Sequence, residues 1–212
     1  MKKRNILLGI TLTSLLFILA SFVEDKVETV KIGNQEWMSR NLDVKQFRNG
    51  EPIPHAKTDE EWEKAGEQGK PAWCYYNNDP SSGENFGILY NYYAVIDSRG
   101  LAPEGWKVPT IKDYKSLLSH LGGKEQFCDK IKSKEGWKEG GSGSNESGFN
   151  GLPAGGRDLF GNFYAQGAFS GWWLAPQNTG EKGNKRSMVC SNVYVGRNLN
   201  DKRNGFSVRC LK

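Results

Sequence analysis

Glycine sets the terms on which this chain folds. It recurs 26 times in 212 residues with no fixed period. Each glycine weakens a helix or strand interior while opening the positive-φ region that other residues avoid. A chain punctuated in this way reads as short strands and shaped loops around a few helices. Thr29 to Ile32 and Gln35 to Met38 are two short apolar-alternating runs on either side of Gly33-Asn34, which predicts a hairpin. Thr58 and Glu61 have capping-box spacing, in which hydroxyl and carboxylate each satisfy an amide left bare by the first helical turn, so a helix is expected from Asp59 to Glu67. Leu89 to Ile96 is aromatic and aliphatic throughout, and its periodicity does not choose between helix and strand. Thr110, after Pro109, caps an expected helix from Ile111 to Leu121, with Tyr114, Leu117, Leu118 and Leu121 on one face and Gly122 at its stop. A further helix is expected from Glu125 to Lys132, with Phe127 and Ile131 four apart and the Cys128 thiol turned inward.

Lys138 to Gly148 turns to Gly, Ser, Asn and Glu with no apolar anchor, so an exposed, mobile loop is expected there. Strands are expected at Phe149 to Leu152, Ala168 to Trp173, Met188 to Val195 and Phe206 to Leu211. The last turns Phe206, Val208 and Cys210 inward and Ser207, Arg209 and Leu211 outward. No repeat of solenoid or propeller length is present.

The N-terminus carries a different kind of signal. Lys2, Lys3 and Arg4 precede an uncharged stretch from Ile6 to Val23, and Ala20 or Ser21 offers a small residue near a cleavage point. Residues 1–23 are therefore expected to be a signal peptide or, being about long enough to span a bilayer, an N-terminal membrane anchor. No cysteine precedes Cys74, which argues against a lipid anchor. Residues 27–212 then form one domain of ordinary size.

The net charge of +5 belongs partly to that leader, and elsewhere basic residues interleave with Asp and Glu, as in Lys57 to Lys64. Nucleic-acid binding, which concentrates Lys and Arg in a stripe, is not expected. Any membrane contact is through the N-terminal segment. Cys74, Cys128, Cys190 and Cys210 permit disulfides in an exported chain, with three possible pairings. Zinc is not indicated: no two cysteines have ligand spacing, and only His55 and His120 could join them.

Several stretches together resemble one family. They are Val30-Lys31-Ile32-Gly33-Asn34-Gln35-Glu36-Trp37-Met38, Asn41-Leu42, Asn49-Gly50 with Ile53-Pro54, and Trp73-Cys74-Tyr75-Tyr76-Asn77-Asn78-Asp79. Further along come Gly87-Ile88-Leu89-Tyr90-Asn91-Tyr92-Tyr93-Ala94-Val95, Gly105-Trp106-Lys107-Val108-Pro109-Thr110 and Leu152-Pro153-Ala154-Gly155-Gly156-Arg157, then Gly171-Trp172-Trp173 and Gly205-Phe206-Ser207-Val208-Arg209-Cys210. In this order and spacing they resemble the Fibrobacter succinogenes major paralogous domain. The resemblance implies an α+β, C-type-lectin-like fold: two or three helices packed on small antiparallel sheets, with a long irregular loop region. It also implies a surface or secreted module without catalytic residues. Many relatives carry a cysteine where this chain has Ala102; if the family pairs it with the cysteine matching Cys210, then Cys210 here needs another partner or stays free.

Sugars stack on exposed aromatic rings, and Trp172, Trp173, Tyr164, Tyr92 and Tyr93 are the candidates; the competing reading places Trp172 and Trp173 in the core. The expected binding face comprises Trp173, Trp172, Asn178, Asn192, Asn198 and Arg157, with a glycan or a cell-surface protein as partner. No cofactor is required. Calcium needs several converging oxygens, and the weak candidates are Asp79 and Glu84, within the run from Asn77 to Asn85, and Asp201 after Asn198 and Asn200. The short lectin signatures, Glu-Pro-Asn or Gln-Pro-Asp followed by Trp-Asn-Asp, are absent, and the asparagine runs also serve as turn formers. Catalysis is not expected. His55 and His120 lack a nucleophile context, Asp59-Glu60-Glu61 reads as solvated charge, and the close cysteine pair of formylglycine-generating enzymes, which share the broad fold, is not matched by Cys190 and Cys210. A purely structural or assembly role is the main alternative.

Overall fold

A computed structural model describes residues 27–176, 186–191 and 195–212. The chain opens with the expected hairpin, β1 (Thr29–Ile32) and β2 (Gln35–Met38), antiparallel about Gly33 at φ +59°. Helix α1 (Asp59–Glu67) follows, then β3 (Trp73–Cys74), a single 3-10 turn at Tyr76–Asn78, α2 (Pro80–Phe86), β4 (Leu89–Asn91) and α3 (Tyr92–Val95). Helices α4 (Ile111–His120) and α5 (Lys124–Ile131) lead into β5 (Gly156–Arg157), β6 (Phe163–Tyr164), β7 (Phe169–Leu174), β8 (Arg186–Ser191), β9 (Val195–Leu199) and β10 (Gly205–Phe206). The strands form a two-stranded, a five-stranded (β3-β4-β10-β5-β6) and a three-stranded (β7-β8-β9) sheet, all antiparallel.

Local chemistry explains the element ends. Thr110 and Asp113 form a reciprocal capping box at α4, with Thr110 N–H donating to Asp113 Oδ2 at 2.8 Å and Asp113 N–H donating to Thr110 Oγ1 at 3.4 Å. At α1 only half of the expected box forms. Glu61 N–H donates to Thr58 Oγ1, but the Glu61 carboxylate accepts from Lys57 N–H at 2.6 Å instead of from the cap residue. The ambiguous run after Gly87 is part strand and part helix. Asn91 divides it: its Oδ1 accepts from Ala94 N–H, capping α3, and from Ala72 N–H across the sheet.

Three expectations are corrected. No strand forms at 149–152, where Gly151 makes only an isolated bridge to Lys132. The single strand expected from Met188 to Val195 is two, β8 and β9. The loop after Lys138 is anchored through its backbone rather than by apolar side chains: Gly143 N–H donates to Ser133 O, Ser144 N–H to Asp129 O and Ser147 N–H to Lys130 O. Gly143 lies so close to α5 that a Cβ would stand 2.3 Å from Asp129 O.

Two apolar clusters sandwich β7 and the C-terminal run. Trp173, Phe206, Val208 and Cys210 belong to one, with Tyr90 and Val95. Trp172, Leu174 and Leu211 belong to the other, with α4, α5 and Trp37. The outward face expected for Ser207, Arg209 and Leu211 is therefore buried as well. Alternation along a strand marks which layer a side chain enters and marks solvent only when one face is wet.

Candidate functional site

The segment from Ser39 to Arg48 follows β2 and leaves an open groove on both sides. One recess, about 380 Å3, lies between Val27-Glu28, Arg40 to Val44 and Pro103. A second, about 320 Å3, shares Glu28, Arg40, Asn41 and Asp43 and reaches Glu84, Asn85 and Asn150. A third, about 570 Å3, continues from Asp43 and Val44 past Lys45 to Arg48. These recesses line up along one stretch of chain.

The floor of that stretch is held rigidly. Asn41 Oδ1 accepts from Trp172 Nε1 at 2.8 Å and from Arg209 Nη2 at 2.7 Å, while Asn41 Nδ2 donates to Phe86 O at 2.8 Å. Gly87, φ +73°, lets the end of α2 approach: a Cβ there would stand 2.9 Å from the Asn41 Cβ. Arg40 donates to Glu84 O at 3.2 Å, which joins the groove wall to α2. Arg209 is fully buried over the Phe149 ring, 4.4 Å from its centroid, and burial holds its guanidinium down at about 9. Its partners are neutral oxygens: Asn41 Oδ1 and the carbonyls of Met38, Phe149 and Asn150.

Lys45, at the far end of the groove, carries its ammonium 5.5 Å from the Trp73 ring and 5.5 Å from the Tyr75 ring. His55 covers Trp73 in a parallel stack, centroids 3.8 Å apart. Burial, aided by Lys57 and Lys45, lowers the His55 pKa, so the ring is neutral at pH 7. The cluster presents the half-buried Tyr75 and His55 rings, backed by the buried Trp73, and a cation, a surface suited to holding a polar ligand.

The residues expected from sequence fall elsewhere. Trp172 and Trp173 are both 0% exposed, so neither has a face on which a sugar could stack, and the core reading is the correct one. β7 has core on both sides, so neighbouring residues that face opposite ways are both dry. Arg157 is also fully buried. It donates to Gly161 O, Ala56 O and, at 2.7 Å, Asp59 Oδ1, and it packs between Trp62 and Phe163, so it is a structural clamp. Tyr92 is buried against Trp173, and Tyr164 is half-buried against Phe169. Asn178 and Asn192 lie outside the described residues, as does the side chain of Asn198.

The three calcium candidates do different things. Asp79 caps α2, accepting from Ser81 N–H and Oγ–H; Glu84 lines the groove; Asp201 is engaged by Arg203 at 3.0 and 2.9 Å. Among the described residues, no three His, Cys, Asp or Glu side chains gather closely enough to hold a metal ion. Cys128 is disulfide-bonded, rather than a thiol packed inward, and Cys74 and Cys210 are free and buried. Burial pushes both free thiols up to about 12. Among the described residues, no helix is long and apolar enough to cross a membrane.

Sequence reasoning missed Arg40, Asn41 and Asp43. The available signal was a short polar run, Ser39-Arg40-Asn41, directly after a strand that ends in Trp37-Met38.

Fold and groove together define a class: an α+β domain of small antiparallel sheets whose irregular segments, rather than its strands, form the accessible site. Residues 30–212 match the model of the Fibrobacter succinogenes major domain, and the chain belongs to that family. No curated protein and no solved structure matches it.

Proposed function

We propose that this chain is an extracytoplasmic, non-catalytic binding module with a C-type-lectin-like fold, and that the groove along Ser39 to Arg48 takes a glycan. The observation that carries this reading is the Asn41 hub. A surface segment bearing Arg40 and Asp43 is fixed from below by buried bonds to Trp172, Arg209 and Phe86 O, so its polar groups are pre-organised before any ligand arrives. A cell-surface protein is the other partner this face suits. The disulfide at Cys128 supports an oxidising compartment, as does the basic, then uncharged, N-terminal stretch. Against thiol catalysis stand the burial and raised pKa of Cys74 and Cys210, which keep both protonated.

The test is a glycan array probed with the full chain, with and without a chelator. Binding is expected in both conditions, weakened at least tenfold by an Arg40→Ala/Asp43→Ala double variant whose melting temperature matches the parent. Binding that survives the double variant unchanged moves the site away from the groove. A chain that binds no glycan leaves the cell-surface protein as the partner to seek.

A further inference from the structure

The tip of the β5–β6 hairpin presents Phe160 to solvent at 60% exposure, the most exposed large hydrophobic side chain among the described residues. The tip is stiff. Asp158 Oδ1 accepts from Phe160 N–H and Asn162 N–H, both at 2.9 Å, and Asp158 Oδ2 accepts from Asn162 Nδ2 at 3.0 Å. Arg157 Nε ties Gly161 O to the interior at 2.9 Å, and Trp62 Nε1 holds Asp158 O at 3.0 Å. Gly161, φ +96°, sits so close to α1 that a Cβ would stand 2.6 Å from the Asp59 Cβ. An aromatic ring held outward by this many bonds keeps its exposure at little entropic cost when it docks.

The same chain carries a recess that suits such a ring. Pro54, Ala56, Ala65, Pro71 and Ala72, beside the half-buried His55, form a largely apolar hollow of about 220 Å3 along the outer side of α1. An apolar cavity of about 150 Å3 accepts benzene, so a phenyl ring fits. Charges around the two features are opposite: Asp158 lies two residues from Phe160, the nearby Asp59 being paired with Arg157, while Lys64 and Lys70 rim the hollow with one acid, Glu61. Among the described residues, neither lysine is in an ion pair, nor is Asp158.

We infer that Phe160 of one copy inserts into the Ala65 recess of a second copy, so that the chain associates with itself. Because knob and recess are different patches of one surface, the contact is heterologous and continues from copy to copy. One ring and a charged rim fall well short of the ~1,000 Å2 expected of a free-standing interface. The contact is therefore weak between dilute molecules and strengthens where many copies crowd on one surface. It shares His55 with the ring cluster at the end of the groove but uses none of Ser39 to Arg48, so its test is read apart from the glycan reading.

The test places a photo-crosslinking phenylalanine analogue at position 160 of the full chain, with position 96 as control. Illumination at high protein concentration is expected to yield dimers and a ladder of larger species. Mass spectrometry then maps the link from position 160 to the 54–72 segment of another copy. In sedimentation, Phe160→Asp and Ala65→Glu each abolish concentration-dependent association, and mixing the two restores a one-to-one dimer but no larger species, since one retains only the recess and the other only the knob. Circular dichroism checks that both remain folded. If Ala65→Glu does not fold, Lys64→Glu/Lys70→Glu replaces it and is expected to weaken association at least tenfold. Crosslinks to lipid, to the N-terminal segment or to no partner overturn the inference, as does association unchanged in Phe160→Asp.

Discussion

Arg209 grips Asn41 with two nitrogens, Nε at 3.1 Å and Nη2 at 2.7 Å, on an oxygen that also accepts from Trp172. A guanidinium buried without a carboxylate depends on every neutral acceptor it has, because an unmet buried donor retains its full desolvation cost. Replacing Asn41 with Ala is therefore expected to destabilise the protein by on the order of 3 kcal/mol, read as a lower urea midpoint. Asn41→Asp is expected to retain more stability than Asn41→Leu, since the new carboxylate faces Arg209 even as the bond to Phe86 O is lost. Equal losses for Asp and Leu would show that the site does not feel the charge.

The anchored glycine-rich loop makes a sharper steric prediction. Gly143→Ala puts a methyl 2.3 Å from Asp129 O and 2.8 Å from Lys132 O, atoms of the backbone that cannot swing aside. A cost of about 1–3 kcal/mol is expected, with faster amide exchange at Ser144 and Ser147, whose N–H groups bond to Asp129 O and Lys130 O. If exchange at those amides is already at the unprotected rate in the parent, the loop is loose and the anchoring is refuted.

How much of this was legible beforehand follows from what each residue answers to. The β1–β2 hairpin, the Thr110 cap and α4 were readable, since their causes lie within a few residues: a turn glycine, a hydroxyl at the cap, apolar residues at helical spacing. The core reading of Trp172 was available too, but the burial of Arg209 was not, because it depends on a second apolar layer built from α4, α5 and Trp37, distant in sequence. The loop at Gly143 looked unanchored because its partners are backbone carbonyls, which leave no trace in side-chain composition. The groove stayed hidden for a related reason: Asn41 is held by residues 45 to 168 positions away.

The cysteines divide cleanly, and thiol counting tests that division. Cys74 and Cys210 are both 0% exposed, so Ellman's reagent is expected to find no reactive thiol in the folded protein. Two should titrate after unfolding without reductant, and all four after reduction and unfolding. Four thiols before reduction would remove the disulfide at Cys128, and with it one support for an oxidising compartment.

Those two thiols also give the protein a predictable alkaline limit. Burial raises each to about 12 in the folded state, against about 8.5 in an unfolded chain. Above pH ~8.5 the unfolded chain therefore loses protons that the native state keeps, and a state that binds fewer protons gains stability as pH rises. The thiol contribution to folding is present in full below pH ~8.5 and is lost progressively toward pH ~12. The melting temperature should thus fall across this window. Buried tyrosines Tyr90 and Tyr164, also raised by burial, add a slope of the same sign, so the informative comparison is with a Cys74→Ala/Cys210→Ala variant. Its lower starting stability reflects two small cavities, but its decline between pH 8.5 and 11 is expected to be shallower than the parent's. Parallel declines would mean that the native thiols ionise as readily as unfolded ones, and that burial does not outweigh the neighbouring Arg157 and Arg209 charges, which favour the thiolate.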